Sequence, residues 1–154
     1  MMIQTFPVKP EDEPFLFNLF ATTREEELKA CGFDQTTSEL FLRMQWRAQQ
    51  LSYGEAFPDA DHRMIWMDSV KVGKIMIHRT EQEIRLVDLI LLPQVCHRGI
   101  GTQLLRELQQ EANQQKKTLT LSVLHTNPAL KLYKRLGFIA VGGDEMYDQM
   151  MWKG

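Results

Sequence analysis

The chain has 154 residues, with 18 Lys and Arg against 20 Asp and Glu, a net charge of −2 and two cysteines. This length predicts one domain over 1–154 with a substantial core. Acidic and basic residues are interspersed, so the sequence shows no basic cluster that would indicate nucleic-acid binding. No apolar stretch is long enough to span a membrane, and two cysteines are too few for a disulfide scaffold. We therefore expect a cytoplasmic protein without a signal peptide, a nucleic-acid partner or a membrane partner.

The first half of the chain predicts one strand, two helices and three further strands. Residues 2–8 form a strand that is ended by prolines. Helical spacing of apolar residues follows over 11–30 and 36–52. In the second helix, Thr37 and Ser38 can cap the start, and the expected buried stripe is Leu40, Phe41, Met44, Ala48 and Leu51. Strands are then expected at 62–67, 71–79 and 83–92.

The second half predicts a helix at 99–115, a strand at 118–125, a helix at 127–136, and a closing hairpin formed by 138–141 and 146–151. The element order βααβββαβαββ indicates the α+β fold class. No three His, Cys, Asp or Glu residues have the spacing of metal ligands, so no metal is expected. His62, His78 and His97 are interpreted as surface or turn residues.

A strand-to-helix corner carries the strongest functional signal. An apolar run over 84–92 stops at Pro93, and Gly99 and Gly101 then open a helix with apolar residues on one face. Glycine lets the backbone approach a ligand closely, and the N–H groups of a first helical turn lack partners inside the helix. Such a corner is suited to binding phosphate. A P-loop would need Lys after the second glycine, and a dinucleotide fold would need a third glycine where Leu104 stands.

A second segment follows the predicted strand at 118–125. It reads Asn127-Pro-Ala-Leu-Lys-Leu-Tyr-Lys-Arg-Leu-Gly-Phe138. Together with Cys-His-Arg-Gly-Ile-Gly at 96–101, it resembles the acetyl-CoA signature of the GCN5-related N-acetyltransferases. The resemblance spans about 84–142, and the first 80 residues add only a compatible element order.

The resemblance implies a mixed, mostly antiparallel central sheet of six to seven strands with flanking helices. In this family the fourth and fifth strands splay apart to admit the pantetheine arm of acetyl-CoA. By resemblance, the backbone of Leu89, Ile90 and Leu91 contacts that arm, and Asn127 and Tyr133 contact it from the following helix. The diphosphate would then lie on the eight residues Val95, Cys96, His97, Arg98, Gly99, Ile100, Gly101 and Thr102. Cys96 stands where relatives carry Arg or Gln, and Arg98 is one candidate substitute.

The resemblance further implies direct transfer of an acetyl group to a primary amine in a ternary complex. Tyr133 occupies the position of the general acid, and a phenol stays protonated at neutral pH. Relatives often use a strand Glu as the base, but Arg85 and Ser122 occupy those positions here. Asp88, which sits among apolar residues, is the strongest remaining carboxylate, and His125 is a second candidate.

Three interpretations remain open from the sequence. The first is an N-acetyltransferase acting on the amine of a small molecule, amino acid or peptide. The second is a non-catalytic, regulatory CoA-binding module on the same fold. The third is an unrelated nucleotide-phosphate binder that shares the glycine corner. Relatives commonly dimerise, so a homodimer is one expected state.

Overall fold

The computed structural model describes all 154 residues and has α+β architecture, as predicted. Seven strands join one sheet in the order β1-β2-β3-β4-β5-β7-β6. The strands are β1 Ile3–Pro7, β2 Asp61–Met67, β3 Val70–Arg79, β4 Glu83–Leu91, β5 Thr118–Leu124, β6 Ile139–Gly143 and β7 Tyr147–Trp152. The helices are α1 Glu13–Thr22, α2 Glu25–Cys31, α3 Gln35–Ala56, α4 Ile100–Gln115 and α5 Ala129–Arg135. None of these helices has the length and apolarity needed to cross a membrane.

The chain contains two compact units. The first unit consists of Met1–Lys74 and Ile90–Val95, and the second of Ile75–Leu89 and Cys96–Gly154. The expectation of a single domain over 1–154 stays a prediction.

In the first unit, helices α1 and α3 pack over an aromatic core. Phe17 meets Trp46 edge-on, with ring centroids 5.3 Å apart. The Arg43 guanidinium lies 4.2 Å from the centroid of the Phe17 ring. Phe20 and Met64 complete this core at 3% and 1% exposure. Large aromatic rings thus fix which side of α3 faces inward.

The prediction of one helix over 11–30 is wrong. The single helix expected over 11–30 is divided into α1 and α2, so the chain has three helices before β2 rather than two. The hydroxyls of Thr22 and Thr23 donate to the carbonyls of Leu19 and Phe20 at 2.7 and 2.6 Å, and such local bonds compete with helix continuation.

The prediction of which residues of α3 are buried is also wrong. Leu40, Met44 and Leu51 are 62–71% exposed, whereas Leu42 and Trp46 are buried. The larger area that Trp46 buries against the core outweighs the regular spacing of the smaller apolar residues. The cap differs too, because Asp34 rather than Thr37 or Ser38 precedes the helix and accepts from the N–H of Thr37 at 2.7 Å.

In the second unit, α4 and α5 pack against one face of β5. The alternate residues Leu119, Leu121 and Val123 are buried, as the two-residue period of a strand requires. β4 and β5 run parallel, while β5 pairs antiparallel with β7 and β6 with β7. The mixed sheet of six to seven strands is therefore confirmed.

His62 differs from its interpretation as a surface or turn residue. It lies in β2 of the first unit, and its Nε2 is buried without a hydrogen-bond partner. Burial, and secondarily the charge of Lys74, lowers the pKa of His62 to about 4, while Asp61 opposes the shift. His62 is therefore neutral in the folded chain at pH 7.

This shift predicts a loss of stability between pH 6.5 and pH 4. The unfolded chain binds a proton at His62 in that window and the folded chain does not, so stability falls as the pH falls. Allowing for partial exposure, we expect the free energy of unfolding to drop by about 1–2 kcal/mol from pH 7.5 to pH 5. Urea unfolding at both pH values should show this drop in the wild type and a smaller one in His62→Asn. Equal drops would contradict it.

Candidate functional site

The glycine corner forms as the sequence predicts. After β4, a short 3-10 turn over Pro93–Val95 leads into the corner, and α4 begins at Ile100. His97 and Gly99 adopt left-handed conformations with φ of 69° and 83°. No side chain caps the start of α4, so its first-turn N–H groups remain directed at any ligand bound there. Backbone geometry of this kind is suited to binding an anion.

The two glycines have different roles. Gly99 supplies the positive φ, and open space surrounds its position. Gly101 is buried, and a Cβ there would lie 3.3 Å from Cδ2 of Leu132. The absence of that Cβ allows the start of α4 to lie closely against α5. The corner is thereby placed beside the helix that carries Tyr133.

β4 and β5 pair in parallel only at their beginnings. The register runs from Glu83 opposite Thr118 to Leu86 opposite Leu121. Beyond this point, 87–89 of β4 and 122–124 of β5 are not paired with each other. We call this opening the fork. Main-chain groups on its inner edges need partners, and an extended amide-containing ligand can supply them in the manner of an added strand.

Tyr133 and Asp88 are brought together on one side of the fork. Tyr133 is 6% exposed, and its ring packs edge-on against Phe138 with centroids 5.7 Å apart. Burial, and then the negative charge of Asp88, raises the pKa of Tyr133 to about 12. Asp88 lies on the same face of β4 as the buried Ile84 and Leu86, because side chains two residues apart on a strand point the same way, and this is the face covered by α4 and α5.

Asn127 caps α5, as its position before Pro128 predicts. Its Oδ1 accepts from the N–H of Ala129 at 2.9 Å, while the residue itself is exposed. The cap uses the oxygen, and the side-chain NH₂ donors remain on the exposed surface. A ligand contact at Asn127 stays a prediction.

The remaining predicted cofactor residues occupy differing environments. Cys96, His97 and Arg98 are exposed at the corner. In the first unit, Val95 is buried and its N–H donates to the carbonyl of Leu92 at 3.0 Å, so that amide is already engaged. Also in the first unit, Gly73 lies against the carbonyl of Ile90, where a Cβ would overlap.

The candidate bases differ in their partners. His125 Nε2 lies 3.0 Å from Oδ1 of Asp148, so that imidazole is held in an ion pair when protonated. Oδ2 of Asp88 is buried. No group of three or more His, Cys, Asp and Glu side chains could hold a metal ion.

Sequence reasoning missed a polar network on the other face of β4, β5 and β7. Arg85 donates to Thr120 at 3.4 Å and to Gln149 at 3.2 Å, and Gln149 donates to Ser122 at 3.0 Å. A charged residue within the apolar run of β4 is the signal that pointed to it.

Comparison with known proteins identifies the family and the fold. The model of the GNAT acetyltransferase domain family matches residues 25–152. The structure resembles that of a PaiA N-acetyltransferase from Thermoplasma acidophilum solved with coenzyme A, with 20% identity, full coverage of both chains and a TM-score of 0.72. It also resembles the PseH N-acetyltransferase of Campylobacter jejuni solved with acetyl coenzyme A, with 19% identity, 99% coverage of each chain and a TM-score of 0.60.

A third similar structure is the ribosomal-protein-S18-alanine N-acetyltransferase of Escherichia coli. It is 17% identical over 99% of this chain and 94% of its own, with a TM-score of 0.63. A search of curated proteins finds no match. Because the family model covers most of the sequence, the chain belongs to the GNAT acetyltransferase family.

The conformation at Gly99 gives a testable prediction. Gly99→Ala should destabilise the protein by about 1–2 kcal/mol, because an L side chain is strained at positive φ even where space is open. Gly99→Asn should cost less, since Asn tolerates the left-handed region. Urea unfolding checks both variants, and an Ala variant as stable as the wild type would contradict the assigned conformation.

Proposed function

We propose that this chain is an N-acetyltransferase that moves an acetyl group from acetyl-CoA to the primary amine of a small molecule, amino acid or peptide by direct attack in a ternary complex. The observation that supports this most is the placement of Tyr133 and Asp88 beside the fork. When bound, acetyl-CoA supplies the acetyl group activated as a thioester. Family membership makes this the expected chemistry.

The corner and the fork fit the two ends of such a ligand. First-turn amides of α4 present donors suited to a diphosphate, together with the guanidinium of the exposed Arg98. The inner edges of the fork offer main-chain donors and acceptors suited to pantetheine amides. At 89–91, the side chains then pack within the protein, while the main-chain groups bind the ligand.

Asp88 is the proposed base, acting through a water molecule. An aliphatic ammonium has a pKa near 10.4, so freeing it at pH 7 costs about 4.6 kcal/mol. A carboxylate next to the acceptor offsets part of that cost by accepting one ammonium proton through the water, which frees the nitrogen lone pair to bond to the acetyl carbon. The nitrogen then loses a second proton to solvent water. The carbon–sulfur bond then breaks, and the sulfur leaves with the electron pair.

Tyr133 is the proposed donor to that sulfur. Its pKa of about 12 keeps the phenol protonated until the sulfur gains charge. Asp88 contributes to this high pKa, so protonating Asp88 lowers the pKa of Tyr133. Transfer of the amine proton to Asp88 therefore makes Tyr133 a better acid at the moment when the departing sulfur needs a proton.

Two observations favour a second candidate, the regulatory CoA-binding module. Exposed Cys96 supplies neither a cation nor an amide at the corner, and Arg85 and Ser122 stand where relatives often carry Glu. Amine turnover separates the two candidates. We also propose a cytoplasmic location, which agrees with the low cysteine content of two residues in 154. A homodimer stays a prediction.

Ligand binding is tested first. Acetyl-CoA at one hundred times its Kd should stabilise the fold by about 2.7 kcal/mol in thermal unfolding, while ATP and NAD at equal concentrations should not. Free-thiol release is then followed over an amine panel. Binding without turnover of any amine would favour the regulatory module, and a preference for ATP or NAD would exclude both candidates.

Tyr133→Phe tests the acid. We expect kcat to fall about 100-fold with unchanged affinity for acetyl-CoA, because only the proton donor is removed. Tyr147→Phe is the matched control, since that tyrosine lies exposed on β7 and should leave kcat unchanged. Equal kcat in wild type and Tyr133→Phe would remove Tyr133 from the mechanism.

Asp88→Asn tests the base through the choice of acceptor. For an aliphatic ammonium we expect a loss of about 100-fold in kcat, since that acceptor must lose a proton. For an amine that is already neutral at pH 7, the loss should be below about threefold. Glu145→Gln, an exposed carboxylate near β7, is the control. Equal losses on both acceptors would show that Asp88 is not the base.

A further inference from the structure

The polar network around Arg85 lies at the point where the fork opens. Arg85 directly precedes Leu86, the last residue of β4 that is paired with β5, and Ser122 directly follows the last paired residue of β5. Gln149 lies opposite Ser122 on β7. These side chains therefore surround the closed end of the fork from one face.

That face is opposite to the one that holds Tyr133 and Asp88. Arg85 alternates with Ile84 and Leu86 on β4, and Ser122 alternates with the buried Leu121 and Val123 on β5. Within the second unit, α4 and α5 pack on the buried face. An acceptor that reaches the fork in this unit therefore meets the polar face that carries Arg85.

The guanidinium of Arg85 is held in place but is not neutralised. Its two hydrogen bonds go to the uncharged Thr120 and Gln149, and it makes no ion pair. Glu83 is the nearby carboxylate, and it bonds to the hydroxyl of Thr120 rather than to Arg85. A guanidinium has five N–H donors, so three remain for a ligand.

Such a half-buried, oriented cation matches one kind of ligand. Carboxylates accept paired hydrogen bonds from the planar guanidinium, and these charge-assisted bonds are stronger than neutral ones. Glu83 bonds to the same Thr120 hydroxyl as Arg85, so its negative charge lies close to the guanidinium and would repel a doubly charged phosphate. A phosphate would need a second cation at this position. The network thus fits a single negative charge.

We infer that Arg85 binds a carboxylate of the amine acceptor, so that the substrate class is an amino acid or a similar amino-carboxylate. This rests on the proposed function, because it gives a specificity to the same reaction. Arg85 and Asp88 are three residues apart on β4, about 10 Å along the strand, and they point to opposite faces, so an acceptor held by Arg85 would reach Asp88 through the fork. Acceptors whose amine and carboxylate are separated by several bonds are therefore the expected substrates within this class.

The test compares matched acceptors that differ only in the carboxylate. Linear amino-carboxylates of increasing length are assayed against their carboxamides by thiol release. For the wild type we expect kcat/KM to be about 10- to 100-fold higher for the carboxylate, mainly through KM, as one charge-assisted contact provides. A phosphate-ester amine of similar length should be a poorer substrate than the carboxylate.

Arg85→Gln should reduce that preference to about one, while the carboxamide keeps its wild-type kcat/KM within about threefold. Gln149→Leu removes one of the two groups that hold the guanidinium, so it should lower the preference for the carboxylate in part. This variant replaces Arg85→Gln in the test if Arg85→Gln does not fold. Arg106→Gln on the exposed side of α4 is the control and should keep the full preference.

Several results would overturn the inference. These are a wild type that takes carboxylate and carboxamide equally, a phosphate-ester amine that is preferred, or an Arg85→Gln variant that loses both acceptors equally. The last result would indicate a purely structural role. Acetyl transfer without carboxylate preference would leave the proposed function standing, whereas absence of turnover on every amine would overturn both.

Discussion

The separation of β4 and β5 after Leu86 and Leu121 is the constraint on which the rest of the second unit depends. Two parallel strands that part expose main-chain donors and acceptors, and such groups are costly to bury without partners. Beside this opening, α4 and α5 pack against one face of β5. In the proposed function, the opening is retained because a ligand completes its hydrogen bonds.

Electrostatic coupling between Tyr133 and Asp88 links the two proton transfers that the proposed reaction needs. A buried phenol with a raised pKa is by itself a weak acid. The carboxylate that raises this pKa is also the proposed base, so its protonation relieves the repulsion that opposes the phenolate. Proton acceptance by Asp88 can thus promote proton donation by Tyr133 without any change in the backbone.

The sequence predicts the second unit better than the first for a physical reason. The glycine corner, α5 and the strands of the fork are specified locally, by Gly99, by the cap at Asn127 and by alternation along β5. The break between α1 and α2 depends on threonine side chains that compete with the helix. The inward side of α3 depends on contacts between distant aromatic residues, which no local period records. The Arg85 network combines residues from three strands, and only the register brings them together.

Because Cys96 carries no positive charge, the proposed binding of the diphosphate depends mainly on main-chain N–H groups. A thiol gives the corner no positive charge, so affinity there depends on how well the amides of the first turn of α4 are aimed. Their aim is set by the positive φ at Gly99 and by the close approach of Gly101 to Leu132. The same contact joins the corner to α5, which carries Tyr133. The geometry that would hold the diphosphate therefore also fixes the position of the proposed proton donor.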